Sequence, residues 1–413
     1  MRLIHTSDWH LGHSLHRHSR HREHEAFLDW LLDELETRAA DALLIAGDIF
    51  DTVNPSAQAQ RQWYRFLARA RRRCPALDIV VIGGNHDSAA RLDAPTPLLA
   101  ELDVHVVGGV RRADGDLEPT AMLARLTDAD GQPAAMVAAV PFLRLADLPR
   151  VETEGDPAVE GVRAVYDRVL DAARAQMGPH EALIAMGHCY LTGTTLSELS
   201  ERKVLGGNQH ALPVDLFPAD VAYVALGHLH LAQAVGAEHI RYCGSPIPLS
   251  LPERTYPHQI VVADFDGGKM ITFESVRVPR TVDLLRVPAS EAAEIDDVVA
   301  QLEALDAIEA GDDDRERWPF LEVHVRLPRP EPTLRARVEQ ALIGRRIRLA
   351  RIQPHYTGTG ATLGPEGPAQ ELGDLAPAQV FEQAWAARYD EPPSEQTLQD
   401  FHTLLDRVRQ ADP

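Results

Sequence analysis

Five short apolar runs in this chain end in turn residues, and polar side chains follow each run directly. The runs lie at residues 3–4, 43–46, 79–82, 183–186 and 223–226. Short apolar runs bounded by turn residues are typical of buried strands. Because open α/β sheets form their sites at the carboxyl ends of strands, the polar side chains should converge there. The pattern therefore predicts an α/β fold with a functional site at the strand ends.

The polar residues that follow these runs are oxygen and nitrogen donors. In chain order they are Asp8, His10, Asp48, Asn85, His86, Asp87, His188, His228 and His230. A mixture of carboxylate, amide and imidazole ligands is compatible with Mn²⁺, with Fe and Zn as alternatives. Two such ions about 3.5–4 Å apart can hold both the attacking and the leaving oxygen of a phosphoryl transfer. The sequence therefore predicts a divalent metal site suited to phosphoryl chemistry.

The composition limits the class of protein and the partners it can have. The chain has 413 residues, 45% hydrophobic and 25% charged, which is typical of a globular protein of two or three domains. No apolar stretch approaches the roughly 20 residues of a membrane span, and three cysteines make no disulfide framework, so we expect a cytoplasmic protein. The net charge of −21 is unfavourable for unaided nucleic-acid binding, which depends largely on Lys and Arg.

The chain changes character along its length, and the changes predict domain boundaries. Residues 1–278 alternate strand and helix, with a polar loop at 194–212 expected near the site. Residues 279–353 have a βαβαβ pattern without polar strand ends, which indicates a separate small domain. Residues 354–375 have the Gly, Pro and Thr content of a flexible linker. Residues 376–413 contain two amphipathic helices that are too short to build a core alone.

Taken in order, the strand-end motifs Asp-x-His, Gly-Asp-x-x-Asp, Gly-Asn-His-Asp, Gly-His and Gly-His-x-His resemble those of the calcineurin-like metallophosphoesterases. The resemblance implies a β-sandwich flanked by helices. It assigns one metal to Asp8, His10 and His230, the other to Asn85, His188 and His228, and the bridging carboxylate to Asp48. A bridging water acidified by both cations would be the nucleophile. His86 would face the scissile phosphate as an acid or charge stabiliser, and Asp87 would orient it.

Three stretches resemble more narrowly the SbcD family, the nuclease subunits of bacterial SbcCD complexes. They lie at residues 6–12, 47–51 and 241–250. The resemblance implies that 279–353 is a DNA-binding capping domain and that 376–413 binds an SbcC-type, SMC-like ATPase. It also implies a homodimer, a heterotetramer with the ATPase, and a nucleoid-associated location. We expect the dimer to form through helices near 23–38 and 56–73, which carry Trp30, Trp63, Tyr64 and Phe66.

The activity implied by the SbcD resemblance is Mn²⁺-dependent DNA cleavage in repair, recombination and replication. It comprises 3′–5′ exonuclease action on double-stranded ends and endonuclease action on single strands and hairpins. Two alternatives stay open, a metallophosphoesterase of small substrates such as nucleotides and a non-catalytic scaffold for DNA ends. The histidines at 13, 16, 18, 21 and 24 form either a solvated loop and helix start or a zinc-binding tract.

Overall fold

The structure is a computed structural model, and it describes residues 1–195, 211–309 and 314–357 together with six single residues further on. Residues Met1–Tyr356 form one compact unit, and Thr357–Pro413 form a second. Most of the predicted loop at 194–212 and of the predicted linker at 354–375 lies outside the described residues. The predicted domain boundary at 278/279 stays a prediction.

The first of two large sheets contains three of the five predicted strands. Its spatial order is Lys269–Arg277, Gln259–Asp266, Arg2–Thr6, Ala42–Ala46, Asp78–Ile82 and Val104–Val107. The last four strands run parallel, and Gln259–Asp266 pairs antiparallel with the amino-terminal strand. Every residue of Ala42–Ala46 is buried, which is the pattern of a strand covered on both faces.

The second sheet contains the other two predicted strands. Its order is Gln233–Val235, Ala237–Tyr242, Tyr223–Gly227, Ala182–His188, Pro133–Ala139 and Leu123–Thr127. The four central strands run parallel, and the two edge strands pair antiparallel with their neighbours. A hairpin with Asp130-Gly131 in its turn joins the last two strands of that order.

The two sheets pack against each other, and helices cover the outside. Apolar side chains of both sheets, such as Leu44 and Ile184, belong to one buried cluster. A second cluster joins the other face of the first sheet to helices His21–Thr37 and Ala57–Arg73. Three further α-helices among the described residues are Ala89–Asp93, Thr96–Ala100 and Pro157–Gln176. The sandwich flanked by helices is therefore confirmed.

A third, smaller sheet follows, with its own apolar core. It is built from the strands Leu284–Val287, Ala293–Glu294, Phe320–Leu327 and Arg348–Tyr356. All of its strand pairs are parallel, as the βαβαβ pattern predicts. Helices Ile295–Glu303 and Leu334–Ala341 contribute Val298 and Val338 to the core. The last strand ends at Tyr356, three residues beyond the predicted domain end.

The aromatic residues behind the predicted dimer surface are mostly buried within the chain's own fold. Trp63 and Phe66 are each 1% exposed, and their rings pack edge-on against Trp9. Tyr64 is 38% exposed. The prediction that Trp63 and Phe66 lie on a dimer surface is therefore wrong, because the apolar face of their helix covers the first sheet. The homodimer itself stays a prediction.

Of the predicted carboxyl-terminal helices, the structure describes six residues, at 381, 385, 393, 394, 397 and 401. Phe381, Trp385, Thr397 and Phe401 are helical. The rings of Phe381 and Phe401 stack with their centroids 4.3 Å apart, so residues from both predicted helices contact each other. Within the described part of the chain, no helix is both long and apolar enough to cross a membrane.

Candidate metal centre

The residues that follow the five predicted strands meet at one point between the two large sheets. Asp8, His10 and His230 place ligand atoms within 4.8 Å of one another, and so do Asp8, Asp48 and His188. All five of these residues are buried. The first sheet supplies the carboxylates and the second sheet supplies two of the imidazoles. The convergence at the carboxyl ends of parallel strands is what the sequence pattern predicted.

Asp48 lies between the two ligand sets that the resemblance implies. Its Oδ2 is 3.4 Å from His10 Nε2 and 3.3 Å from His188 Nε2. On the far side, Asn85 Oδ1 is 2.9 Å from His188 Nε2 and 3.0 Å from His228 Nδ1. One carboxylate therefore faces donors of both sets, which is the position that a bridging ligand needs.

The donors fit divalent cations. His10 Nε2 is buried and has no hydrogen-bond partner, although an unpartnered buried polar atom is costly. His10 Nδ1 contacts the Asp51 carboxylate at 3.2 Å, so the orphaned nitrogen is the one that faces Asp48. A cation between these residues would accept its lone pair. The mixture of hard oxygen and imidazole donors suits divalent metal ions.

The electrostatics of the cluster are those of anions and imidazoles held close together. Burial raises the pKa of Asp48, but the neighbouring His188 and His10 hold it well below its ordinary value. Burial lowers the pKa of His188, but the Asp48 charge raises it to about 9. Burial also lowers the pKa of His228 to about 3. Because metal ligands must be deprotonated, binding of a cation by these residues would depend on pH.

Four of the ligand candidates have a left-handed backbone conformation. The φ angles are 54° for Asp8, 47° for His10, 50° for Asp48 and 96° for His228. Such angles cost of order 1–3 kcal/mol each outside glycine and cluster at functional sites. The turns bend the chain directly after each strand, so that the side chains face inward. No sequence pattern signalled this feature.

Two glycines are required by close packing around the cluster. A Cβ on Gly84 would lie 2.1 Å from Asp48 Oδ1, and one on Gly227 would lie 1.9 Å from the carbonyl oxygen of Ala46. Both distances are far below van der Waals contact. The glycines of the Gly-Asn-His-Asp and Gly-His-x-His motifs therefore allow the turns to approach the bridging carboxylate and its strand.

Outer hydrogen bonds orient the imidazoles. His188 Nδ1 donates to the Ala46 carbonyl at 2.8 Å, which directs its Nε2 to the cluster. His230 Nδ1 lies 3.0 Å from Glu253 Oε1, and Glu253 is fully buried. Although burial raises the pKa of Glu253, the neighbouring His230 lowers it to about 2. Such partners fix the tautomer and basicity of a metal-binding histidine.

Sequence analysis missed the roles of Glu253 and Asp51. Asp51 was part of a quoted motif, and its carboxylate contacts both His10 and His13. Glu253 lies three residues beyond the quoted stretch at 241–250, in a short turn at Leu251–Thr255. No spacing connects Glu253 to His230 along the chain, so only the fold could reveal this contact.

The structure corrects the role expected for Asp87. Its carboxylate accepts hydrogen bonds from three backbone N–H groups, those of Ile49 at 3.1 Å, Phe50 at 3.0 Å and Gly84 at 2.9 Å. Burial and the Asp48 charge raise its pKa to about 6. The ring of His86 instead donates to the Asp51 carbonyl at 2.8 Å. Asp87 therefore ties two strand-end turns together, and the backbone of Asp51 orients His86.

Several histidines of the histidine-rich segment at 13–24 contact other parts of the fold, which a solvated loop would not do. His13 contacts Asp51 Oδ1 at 2.9 Å through Nδ1 and the Leu249 carbonyl at 2.9 Å through Nε2. His18 Nε2 lies 3.3 Å from the Leu349 carbonyl, and His24 is fully buried. The expectation of a solvated segment is wrong for His13, which contacts the Asp51 carboxylate and the Leu249 carbonyl, and for His24, which is buried inside the fold.

Comparison with known proteins places these features in context. Residues 1–232 match the family described as calcineurin-like phosphoesterase, and residues 280–389 match one described as type 5 capsule protein repressor C-terminal domain. The SbcD subunit of the SbcCD nuclease from Rhodobacter capsulatus is 40% identical over 390 residues, covering 93% of this chain and 94% of the relative. Its counterpart in Escherichia coli K12 is 36% identical over 316 residues, which cover 73% of this chain and 74% of the relative. The counterpart in Bacillus subtilis is 32% identical over 285 residues, which cover 67% of this chain and 69% of the relative.

Proposed function

The chain belongs to the SbcD family of nucleases within the calcineurin-like phosphoesterases and is a metal-dependent hydrolase of phosphodiester bonds, and from this premise we propose its substrate, metals and partner. It degrades double-stranded DNA ends from the 3′ side and cuts single strands and hairpins. It uses two Mn²⁺ ions and works with an SMC-like ATPase of the SbcC type. The names of its relatives, which are SbcD subunits of SbcCD nucleases, support this proposal.

The observation that carries the proposal is the position of Asp48, with one carboxylate oxygen within 3.4 Å of ligand nitrogens from both sets. Asp8, His10 and His230 would hold one ion, and Asn85, His188 and His228 the other. Divalent cations held by these residues would lower the pKa of water and stabilise the charge that develops on the phosphate. Two ligand sets that share one carboxylate support two ions more directly than one.

The remaining steps belong to side chains of the protein. His86 donates through Nδ1 to the Asp51 carbonyl, so its Nε2 is the nitrogen available to a substrate. We assign to it protonation of the leaving oxygen or stabilisation of the developing negative charge. Its backbone N–H donates to Asp48 Oδ1 at 2.9 Å, which fixes its distance from the bridging carboxylate.

An ATPase partner would explain how a chain with a strongly negative net charge can act on DNA. With a net charge of −21, the chain is expected to leave much of the duplex binding to the ATPase. The tail at 376–413 supplies the docking segment, in a helix-in-groove mode that uses Phe381, Trp385, Phe401 and Leu405. We further assign a nucleoid-associated, cytoplasmic location and a homodimer within a heterotetramer.

The experiment compares substrates and subunits. Purified chain with Mn²⁺ should degrade 5′-labelled single-stranded DNA, and with the ATPase and ATP it should shorten duplex ends from the 3′ side. Deletion of residues 370–413 should abolish the second activity and co-purification with the ATPase, and keep the first. If mononucleotides or cyclic nucleotides are hydrolysed and DNA is not, the small-substrate alternative replaces this proposal. If neither is hydrolysed with metal bound, the scaffold alternative does.

A further inference from the structure

Beside the metal centre, the segment after strand Pro133–Ala139 carries an aromatic ring and an arginine. The Phe142 backbone N–H donates to the Gly83 carbonyl at 2.8 Å, which ties this segment to the turn that bears Asn85 and His86. The Phe142 ring centroid is 6.2 Å from that of His188 and 6.4 Å from that of His228. Phe142 is therefore packed at the edge of the ligand cluster without contributing a ligand atom.

Arg144 is held over this ring. Its guanidinium carbon lies 5.6 Å from the Phe142 centroid, within the range of a cation–π contact. Its Nη2 lies 3.4 Å from the carbonyl oxygen of Asp87, the residue after His86. Two contacts thus place the cation beside the turn of His86, although the side chain is exposed.

Among the described residues, no acidic side chain pairs with the positive charge of Arg144. Through residues 1–195, 211–309 and 314–357, no carboxylate forms an ion pair with its guanidinium. Asp147 accepts a hydrogen bond from the backbone N–H of Arg144, at 2.9 Å. By contrast, Arg163 and Arg174 each pair with an aspartate at 2.8 Å. In a chain of net charge −21, an exposed and unpaired guanidinium at the edge of a phosphodiesterase centre is a candidate for an anionic ligand.

We propose that Arg144 binds the phosphate next to the scissile phosphate of the nucleic-acid strand. Phe142 is the positioning residue that holds the Arg144 guanidinium there. This inference rests on the proposed function. Guanidinium presents a planar set of donors that matches phosphate oxygens. Because the contact is to the backbone, it aligns the strand with His86 without reading the base sequence.

The test is the salt dependence of DNA binding, measured with fluorescein-labelled single-stranded oligonucleotides in a His86→Ala background with Mn²⁺, where cleavage is suppressed. Loss of one phosphate contact reduces the slope of log K against log salt by about 0.7 for a single strand. We expect this reduction in Arg144→Gln, with Kd raised about tenfold at low salt. The effect should be the same for two unrelated sequences, and metal content should stay that of the parent.

Phe142→Leu should give a smaller change in the same direction, and Phe142→Tyr should restore the parental slope. Arg150→Gln is the matched control, because Arg150 is also exposed on this segment and makes no side-chain hydrogen bond or ion pair with a described residue. An Arg144→Gln slope equal to that of the parent, or an equal change in Arg150→Gln, overturns the inference. Failure of the proposed function looks different, since the otherwise unaltered chain would then not cleave DNA at all.

Discussion

The ring nitrogen Nδ1 of His86 lies 2.8 Å from the backbone carbonyl oxygen of Asp51. Because a carbonyl only accepts hydrogen bonds, Nδ1 carries a proton, and Nε2 can donate a second proton when the ring is in its imidazolium form. The ring of His86 also meets that of His10 edge-on, with centroids 4.7 Å apart. His86 is thus fixed beside the metal centre by the main chain, with one nitrogen left for proton transfer or charge stabilisation at a phosphate.

His86→Ala should remove most nuclease activity and keep both metals. General acid catalysis contributes about two to four orders of magnitude, so we expect a loss of kcat in that range. Turnover of DNA and metal content per chain are measured on the same preparation. His86 also has a ring nitrogen within 4.8 Å of a ring nitrogen of His10 and a carboxylate oxygen of Asp48. If metal content falls in step with activity, His86 is a ligand and the division of roles is incorrect.

Glu253→Gln should weaken metal binding. The Glu253 carboxylate contacts His230 Nδ1 and also accepts from the Leu249 N–H at 2.8 Å, so it fixes the imidazole against the chain. Loss of such an outer partner costs about 10- to 100-fold in metal affinity or activity. A titration with buffered Mn²⁺, read by activity and by calorimetry, measures the change. Glu303→Gln, on an exposed helix position, is the control, and equal affinities in both variants would remove Glu253 from the centre.

Asp87→Asn should act mainly on stability. The carboxylate accepts three backbone hydrogen bonds, and an amide would turn an NH₂ group toward at least one of these donors. An unsatisfied buried donor costs about 1–3 kcal/mol, so the free energy of unfolding should fall by that amount in denaturant titrations. Asp130→Asn, in an exposed hairpin turn, should leave it unchanged. If Asp87→Asn unfolds with the same free energy as the parent but loses its kcat, the original prediction that Asp87 orients His86 is correct.

The strand ends and most of the candidate centre could be predicted from sequence because local rules govern them. A run such as 43–46 is apolar at every position since both faces of its strand are covered, and the turn after it must begin where the sheet ends. The resemblance then supplied the pairing of ligands. Asp48, Asn85 and His188 come together as expected because parallel strands direct their carboxyl ends to one edge.

The features that could not be predicted from the sequence depend on contacts between segments that are distant along the chain. Glu253 and His230 meet because the turn at Leu251–Thr255 folds back on the metal centre, and Asp87 was expected near His86 only because the two are neighbours in sequence. Trp63 was expected at a dimer surface, but its ring packs on Trp9. Amphipathic periodicity identifies an apolar helix face and does not say whether that face meets the sheet of its own chain or another chain.

The central claim is that Asp48 joins two metal ions into one hydrolytic centre. Its most direct test is metal content per chain after Mn²⁺ loading and gel filtration, measured together with DNA cleavage for the parent and for Asp48→Ala. The account predicts two ions in the parent, at most one in the variant, and no cleavage by a variant whose circular dichroism is unchanged. Two ions in Asp48→Ala with cleavage retained would contradict it.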